Sequence, residues 1–168
     1  MNFSNWFRIT DRGFDLPVAI FDMDGVLSDA THRQEFLRTD PPDWDNFGAR
    51  AHLDPPLEFG HGEVARFSAD HCIVVVTARP APMFDATSEW LRRYDFPVDL
   101  AVLRPADDFR PSHELKREQL LRIREHGGDV RVAYEDEIAN LEMYRAHDVD
   151  AVYVHSGYYD DGGAVYSP

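Results

Sequence analysis

The stretch Val18-Ala19-Ile20-Phe21-Asp22-Met23-Asp24-Gly25-Val26-Leu27-Ser28-Asp29 decides the fold. An apolar run of strand-forming residues ends in two carboxylates one residue apart, with a glycine directly behind them. A continuous apolar run is the pattern of a strand buried on both faces of a parallel sheet. Open α/β sheets carry their chemistry at the carboxyl ends of strands, and Gly25 lets the backbone turn sharply there. Two acids so placed can hold a divalent cation and leave one carboxylate free to attack. A strand that merely stops at an Asp/Gly-rich turn has the same local look, so the rest of the chain has to decide.

Four further apolar runs, at residues 72–76, 100–103, 130–134 and 151–154, read as strands. Helical patterns at 57–68, 81–94, 112–126 and 137–147 lie between them, the third stopped by Gly127-Gly128. This alternation predicts an α/β fold, a Rossmann-like three-layer sandwich around a five-stranded parallel sheet. The 168 residues are the length of a single domain, 1–168. Within it, 29–70 reads as an irregular insert, holding Asp40-Pro41-Pro42 and Asp54-Pro55-Pro56, and 156–168 as an acidic, Gly/Tyr-rich tail. The insert is shorter than the roughly 50 residues of a separate domain, so no sizeable cap is expected.

The formal net charge is −14, and of the 17 basic residues only Lys116 is a lysine. Positive charge is supplied by arginine everywhere else, which marks Lys116 as a place for a compact ammonium rather than a planar fork. The net charge argues against tight non-specific binding of nucleic acid. No apolar run approaches the ~20 residues that span a membrane, and the N-terminal residues lack the pattern of a secretory signal. Cys72, the only cysteine, cannot form an internal disulfide; the expected compartment is the cytoplasm.

Three more strand or helix ends carry chemistry. The strand at 72–76 runs into Thr77-Ala78-Arg79-Pro80, where a hydroxyl, the adjacent backbone amide and a guanidinium can hold phosphoryl oxygens. Lys116 lies at the beginning of its helix, whose N-terminus attracts anions. The strand at 130–134 ends in Glu135-Asp136-Glu137, beside the first strand in a parallel sheet. In chain order the ends present acid-x-acid, hydroxyl, lysine and acid.

This order resembles the haloacid dehalogenase-like phosphatase superfamily, whose four motifs are matched by Asp22-Met23-Asp24, Thr77, Lys116 and Glu135-Asp136. Within it, the chain looks most like the 3'-phosphatase module of phage polynucleotide kinases. The stretches that carry this likeness are Val74-Val75-Val76-Thr77-Ala78-Arg79, Glu89-Trp90-Leu91-Arg92-Arg93, Asp107-Asp108-Phe109-Arg110-Pro111 and Asn140-Leu141-Glu142-Met143-Tyr144-Arg145. Two departures stand out. Glu135 occupies a position where the motif usually has aspartate, and the sole lysine is not part of a Gly-Lys-Ser/Thr kinase loop.

The resemblance implies an Mg²⁺-dependent phosphomonoesterase working through an aspartyl-phosphate. Asp22 would be the nucleophile, and Asp24 the general acid and base, with its pKa raised toward working pH. Thr77, Ala78, Arg79 and Lys116 would hold the phosphate. Asp22, Asp24 through its carbonyl, and Asp136 would hold Mg²⁺, with Glu135 as an additional candidate ligand. The implied substrate is a 3'-phosphate end of nucleic acid, as in repair. Trp44 and Phe47 offer either a stack for a terminal base or core packing, and Arg33, Arg38, Arg104 and Arg110 are candidates for tracking phosphates. A small-molecule phosphatase acting on nucleotides, and a catalytically silent module of a repair assembly, are the competing readings.

Overall fold

All four residues of β2 (Val18–Phe21) are buried, and their side chains feed two different cores. Val18 and Ile20 pack on one side of the sheet with Leu120, Ile123, Leu141 and Tyr144, whereas Ala19 and Phe21 pack on the other with Val64, Trp90 and Leu91. Period-two alternation on a strand covered on both faces produces this division. Complete burial of side chains such as Phe21 and Ile20 stabilises by about 1.5–3 kcal/mol each.

The computed structural model describes residues 4–159. After β1 (Trp6–Arg8) and β2 come α1 (Trp44–Ala49), α2 (Glu58–Phe67), β3 (Cys72–Pro80) and α3 (Phe84–Arg93). Then follow β4 (Leu100–Arg104), α4 (Ser112–Glu125), β5 (Val130–Glu135), α5 (Ile138–Arg145) and β6 (Asp150–Tyr153). Among the described residues the sheet has six strands in the order β1-β4-β3-β2-β5-β6. The five expected parallel strands are present. The five-strand count is corrected by β1, which pairs antiparallel with β4, Trp6 opposite Val102. A three-residue edge strand carries too little periodicity to be read from sequence.

The insert at 29–70 is less irregular than its composition implies. Besides α1 and α2 it forms 3-10 helical turns at Thr31–Arg38 and Ala51–Leu53. Its Pro-rich stretch is tied to the loop after β2: the Asp29 amide donates to the Pro55 carbonyl at 2.9 Å, and the Leu57 amide to the Leu27 carbonyl at 2.8 Å. Of the expected tail, residues through Tyr159 are described and the remainder lies outside the described residues. No described helix is long and apolar enough to cross a membrane.

Phe21 is level with Val75 on one neighbouring strand and Tyr134 on the other. Asp22, Thr77 and Glu135 therefore emerge at the same edge of the sheet. The chain reverses its direction of strand addition at β2, and such a switch point opens a crevice beyond the strand ends.

Candidate active site

Asp22 leaves β2 with its amide donating to the Tyr134 carbonyl at 3.0 Å. Its Oδ1 accepts from the Met23 amide at 2.7 Å, which leaves Oδ2 facing the crevice. The turn that follows depends on Gly25. Its φ is +87°, and a Cβ there would lie 2.1 Å from Asp136 Oδ2. A side chain would be strained and would also displace the neighbouring acid.

Lys116 reaches this point along the buried stripe of α4, one turn before Leu120 and two before Ile123. Its Nζ lies 3.0 Å from Asp22 Oδ2 and 2.7 Å from Glu135 Oε1, with no solvent exposure. Burial disfavours the ammonium, but the charges of Asp22 and Glu135 outweigh that cost and hold its pKa above the ordinary lysine value. Glu135 is equally buried and receives a second hydrogen bond from Asn140 Nδ2 at 3.1 Å. Burial raises the pKa of both Glu135 and Asp22, and Lys116 opposes the rise.

Asp136 differs from its neighbours. It is 1% exposed, and neither carboxylate oxygen has a hydrogen-bond partner among the described residues. Its pKa is pushed well up, first by burial and then by the charge of Asp22. Carboxylate oxygens of Asp22, Glu135 and Asp136 lie within 4.8 Å of one another. Orphaned buried carboxylates are costly, and an all-oxygen, anionic donor set suits a hard cation such as Mg²⁺. The residues fit the implied metal, with Glu135 beside Asp22 and Asp136. The Asp24 side chain lies outside this cluster.

Asp24 turns instead into a ring of cations. Its Oδ1 accepts from Arg33 Nη2 at 2.6 Å, Arg79 Nη2 at 2.5 Å and Ser28 Oγ at 2.9 Å, and its Oδ2 from Arg79 Nε at 3.2 Å. Burial raises its pKa, but Arg79 and Arg33 together overcome burial and hold the carboxyl well below its ordinary range. The raised pKa expected of a general acid is therefore corrected: two guanidiniums keep Asp24 ionised. The same contacts change the reading of Arg79. It is 6% exposed, and its donors go to Asp24, Asp54, Ser28 and Thr87 rather than into open space.

A cavity of about 890 Å³ opens above these groups, with Asp22, Asp24, Thr77, Ala78 and Arg79 on its floor. Thr77 is 2% exposed and its Oγ1 accepts from the Arg79 amide at 3.2 Å. Exposed aromatic rings line the walls: Trp44 from α1, Phe109 from the loop after β4, and Tyr159. The last is brought there by its neighbour, because Tyr158 Oη accepts from the Ala30 amide at 2.6 Å and donates to Asp29 Oδ1 at 3.2 Å. Phe47 packs under the Arg33 guanidinium, 4.1 Å from its ring centroid. Of the four arginines considered for phosphate tracking, Arg33 is spent on Asp24 and Asp54, and Arg104 on the carbonyls of Ala78, Asp108 and Arg110. Arg110 pairs with Asp108 and Glu118, which leaves Arg38 exposed at the cavity wall.

No protein-family model and no curated protein matches the sequence. Solved structures do match its fold. A chain of the Pnkp1/Rnl/Hen1 RNA repair complex superposes with a TM-score of 0.68 at 20% identity, over 86% of this chain and 44% of that one. A haloacid dehalogenase-like family hydrolase from Streptococcus pneumoniae gives 0.59 at 8% identity, over 82% and 84% of the two chains. A haloacid dehalogenase-superfamily hydrolase from Geobacter sulfurreducens gives 0.56 at 17% identity, over 86% and 90%. The fold is that of the haloacid dehalogenase-like hydrolases. The chain spans less than half the length of the repair-complex chain it matches.

Within this haloacid dehalogenase-like fold, all four motif positions converge on one crevice. Two participants escaped the sequence reading. Asp54 looked like a turn residue before two prolines, yet it is completely buried and bound to both Arg33 and Arg79. Tyr159 lay in a segment read only as a tail. Neither position has a local pattern to mark it; both are brought in by tertiary contacts.

Proposed function

We propose that the protein is an Mg²⁺-dependent phosphomonoesterase that hydrolyses 3'-phosphate ends of DNA or RNA through an aspartyl-phosphate on Asp22. The observation that carries this reading is the contact of the sole lysine with Asp22 Oδ2 at the floor of the cavity, beside the unpartnered oxygens of Asp136. Bound by Asp22, Asp136, Glu135 and the Asp24 carbonyl, Mg²⁺ would offset the repulsion between the Asp22 carboxylate and an anionic phosphate.

In the first half of the reaction Asp22 attacks phosphorus and the bond to the leaving 3' oxygen breaks. Lys116, the Thr77 hydroxyl and the Ala78 backbone hold charge on the equatorial oxygens. Asp24 takes a proton from solvent water on substrate binding and passes it to the leaving oxygen. In the second half it takes one from the water that attacks phosphorus, the bond from Asp22 to phosphorus breaks, and phosphate leaves with Asp22 regenerated. The ionised form held by Arg33 and Arg79 is the one needed for the second half. Proton uptake for the first half is favoured when a dianionic substrate brings opposing charge toward those guanidiniums.

Recognition of a nucleic-acid end is supported by the aromatic walls, since stacking on such rings is worth about 1–3 kcal/mol per base. The likeness to a chain of an RNA repair complex points the same way. A cavity of about 890 Å³ also has room for a mononucleotide. The discriminating experiment measures phosphate release, with and without Mg²⁺, from a 3'-phosphorylated oligonucleotide, nucleoside monophosphates and an aryl phosphate. The highest kcat/KM is expected for the oligonucleotide, together with a rise in Tm on adding Mg²⁺. Preference for mononucleotides would overturn the substrate, and no release from any of them would overturn the reaction.

A further inference from the structure

Resting on the phosphatase reading, we infer that Asp54 is a positioning residue for catalysis: it fixes Arg33 and Arg79, and through them the orientation of Asp24. Asp54 has no solvent exposure and is not part of the cavity wall, so it does not meet substrate. Its Oδ1 accepts from Arg33 Nε at 2.8 Å and faces His32 Nε2 at 2.9 Å. Its Oδ2 accepts from Arg33 Nη2 at 2.6 Å and Arg79 Nη2 at 3.1 Å. Both Nη2 groups that bind Asp54 Oδ2 also bind Asp24 Oδ1. The two carboxylates thus share the two forks, in a closed set of two negative and two positive charges.

The rest of the molecule holds this hub rigid. The Asp54 carbonyl accepts from the buried Trp90 indole at 2.8 Å, which ties it to α3. Ser28, whose hydroxyl donates to Asp24, forms an antiparallel bridge with Pro56, two residues beyond Asp54. Arg33 arrives from the 3-10 turn of the insert and Arg79 from the end of β3. Among the described residues, Asp54 is the one acceptor besides Asp24 that both guanidiniums share. A bidentate fork has a defined direction, so the position of the acceptor sets that of the Asp24 carboxylate, whose proton must reach the leaving oxygen.

The test is steady-state hydrolysis of an aryl phosphate with Mg²⁺ by wild type, Asp54→Asn and Asp54→Glu. Asparagine keeps the shape but presents an amide where one of the forks needs an acceptor. Misplacement of a proton donor on the scale of an ångström costs about 100-fold, so Asp54→Asn should lose about that factor in kcat while KM stays within about 3-fold. Asp54→Glu, which restores the carboxylate, should recover about 10-fold or more of the loss. Wild-type kcat in Asp54→Asn, or a loss confined to KM, overturns the inference. If Asp54→Asn is unfolded at the assay temperature, Arg33→Gln/Asp54→Asn replaces the buried ion pair with a neutral amide pair. The folded double variant should retain KM and show the same loss in kcat, and wild-type kcat in it would again overturn the inference. Absence of activity in the wild type would sink the phosphatase reading itself, whereas an active wild type with an indifferent Asp54→Asn sinks only the positioning role.

Discussion

Asp22→Asn should abolish Mg²⁺-dependent phosphate release, by at least about 10⁴-fold, the scale seen when a member of a covalent catalytic set is removed. The fold should survive. An asparagine oxygen still accepts the Met23 amide, and Lys116 keeps its 2.7 Å contact with Glu135. The loss is chemical, because an amide oxygen is a poor nucleophile toward phosphorus and the amide cannot supply the anionic charge that faces Lys116. The assay is release from the 3'-phosphorylated oligonucleotide alongside a circular dichroism spectrum. Activity within 10-fold of wild type in a folded variant would remove Asp22 from the chemistry.

Lys116→Met should produce the largest loss of stability. The substitution preserves length and removes the cation between two buried carboxylates. Removing one partner of a buried ion pair costs roughly 3–5 kcal/mol, on the order of 10 °C in Tm for a chain of this size. The loss should depend on pH. Asp22 and Glu135 have pKa values raised above the ordinary carboxylate range by burial, so the folded state binds more protons than the unfolded one above about pH 4. Stability contributed by these groups therefore falls as pH rises through their raised values. Removing Lys116 raises them further and widens that window. The Lys116 ammonium makes its own contribution fully below about pH 10, since its folded pKa lies above the ordinary lysine value. Thermal unfolding of wild type and Lys116→Met at pH 5 and pH 8 should show the larger gap at pH 8. Equal Tm values at pH 8 would mean that the two acids do not need their cation.

The part of this arrangement that was legible in the sequence is the part encoded by runs. Strands buried on both faces must be apolar at successive positions, so β2, β3, β4 and β5 stand out, and the acids that end β2 and β5 stand out against them. Lys116 was legible for a different reason: it is a lone lysine among arginines, at the beginning of its helix. What escaped depends on partners distant in the chain. Asp54 carries the signal of a turn, and only the arrival of Arg33 and Arg79 makes its burial affordable. The low pKa of Asp24 arises from the same arginines, of which Arg79 was expected from its strand-end stretch to hold phosphate and Arg33 was a candidate for tracking phosphates. β1 escaped because three edge residues do not make a pattern, and Tyr159 because its place is set by the hydrogen bonds of Tyr158.

The most direct measurement is an acid quench of wild-type protein during turnover of a labelled phosphomonoester with Mg²⁺, followed by peptide mapping. The account predicts a hydroxylamine-labile phosphoryl group on the peptide containing Asp22. Label on another residue, or none while turnover proceeds at full rate, would contradict it.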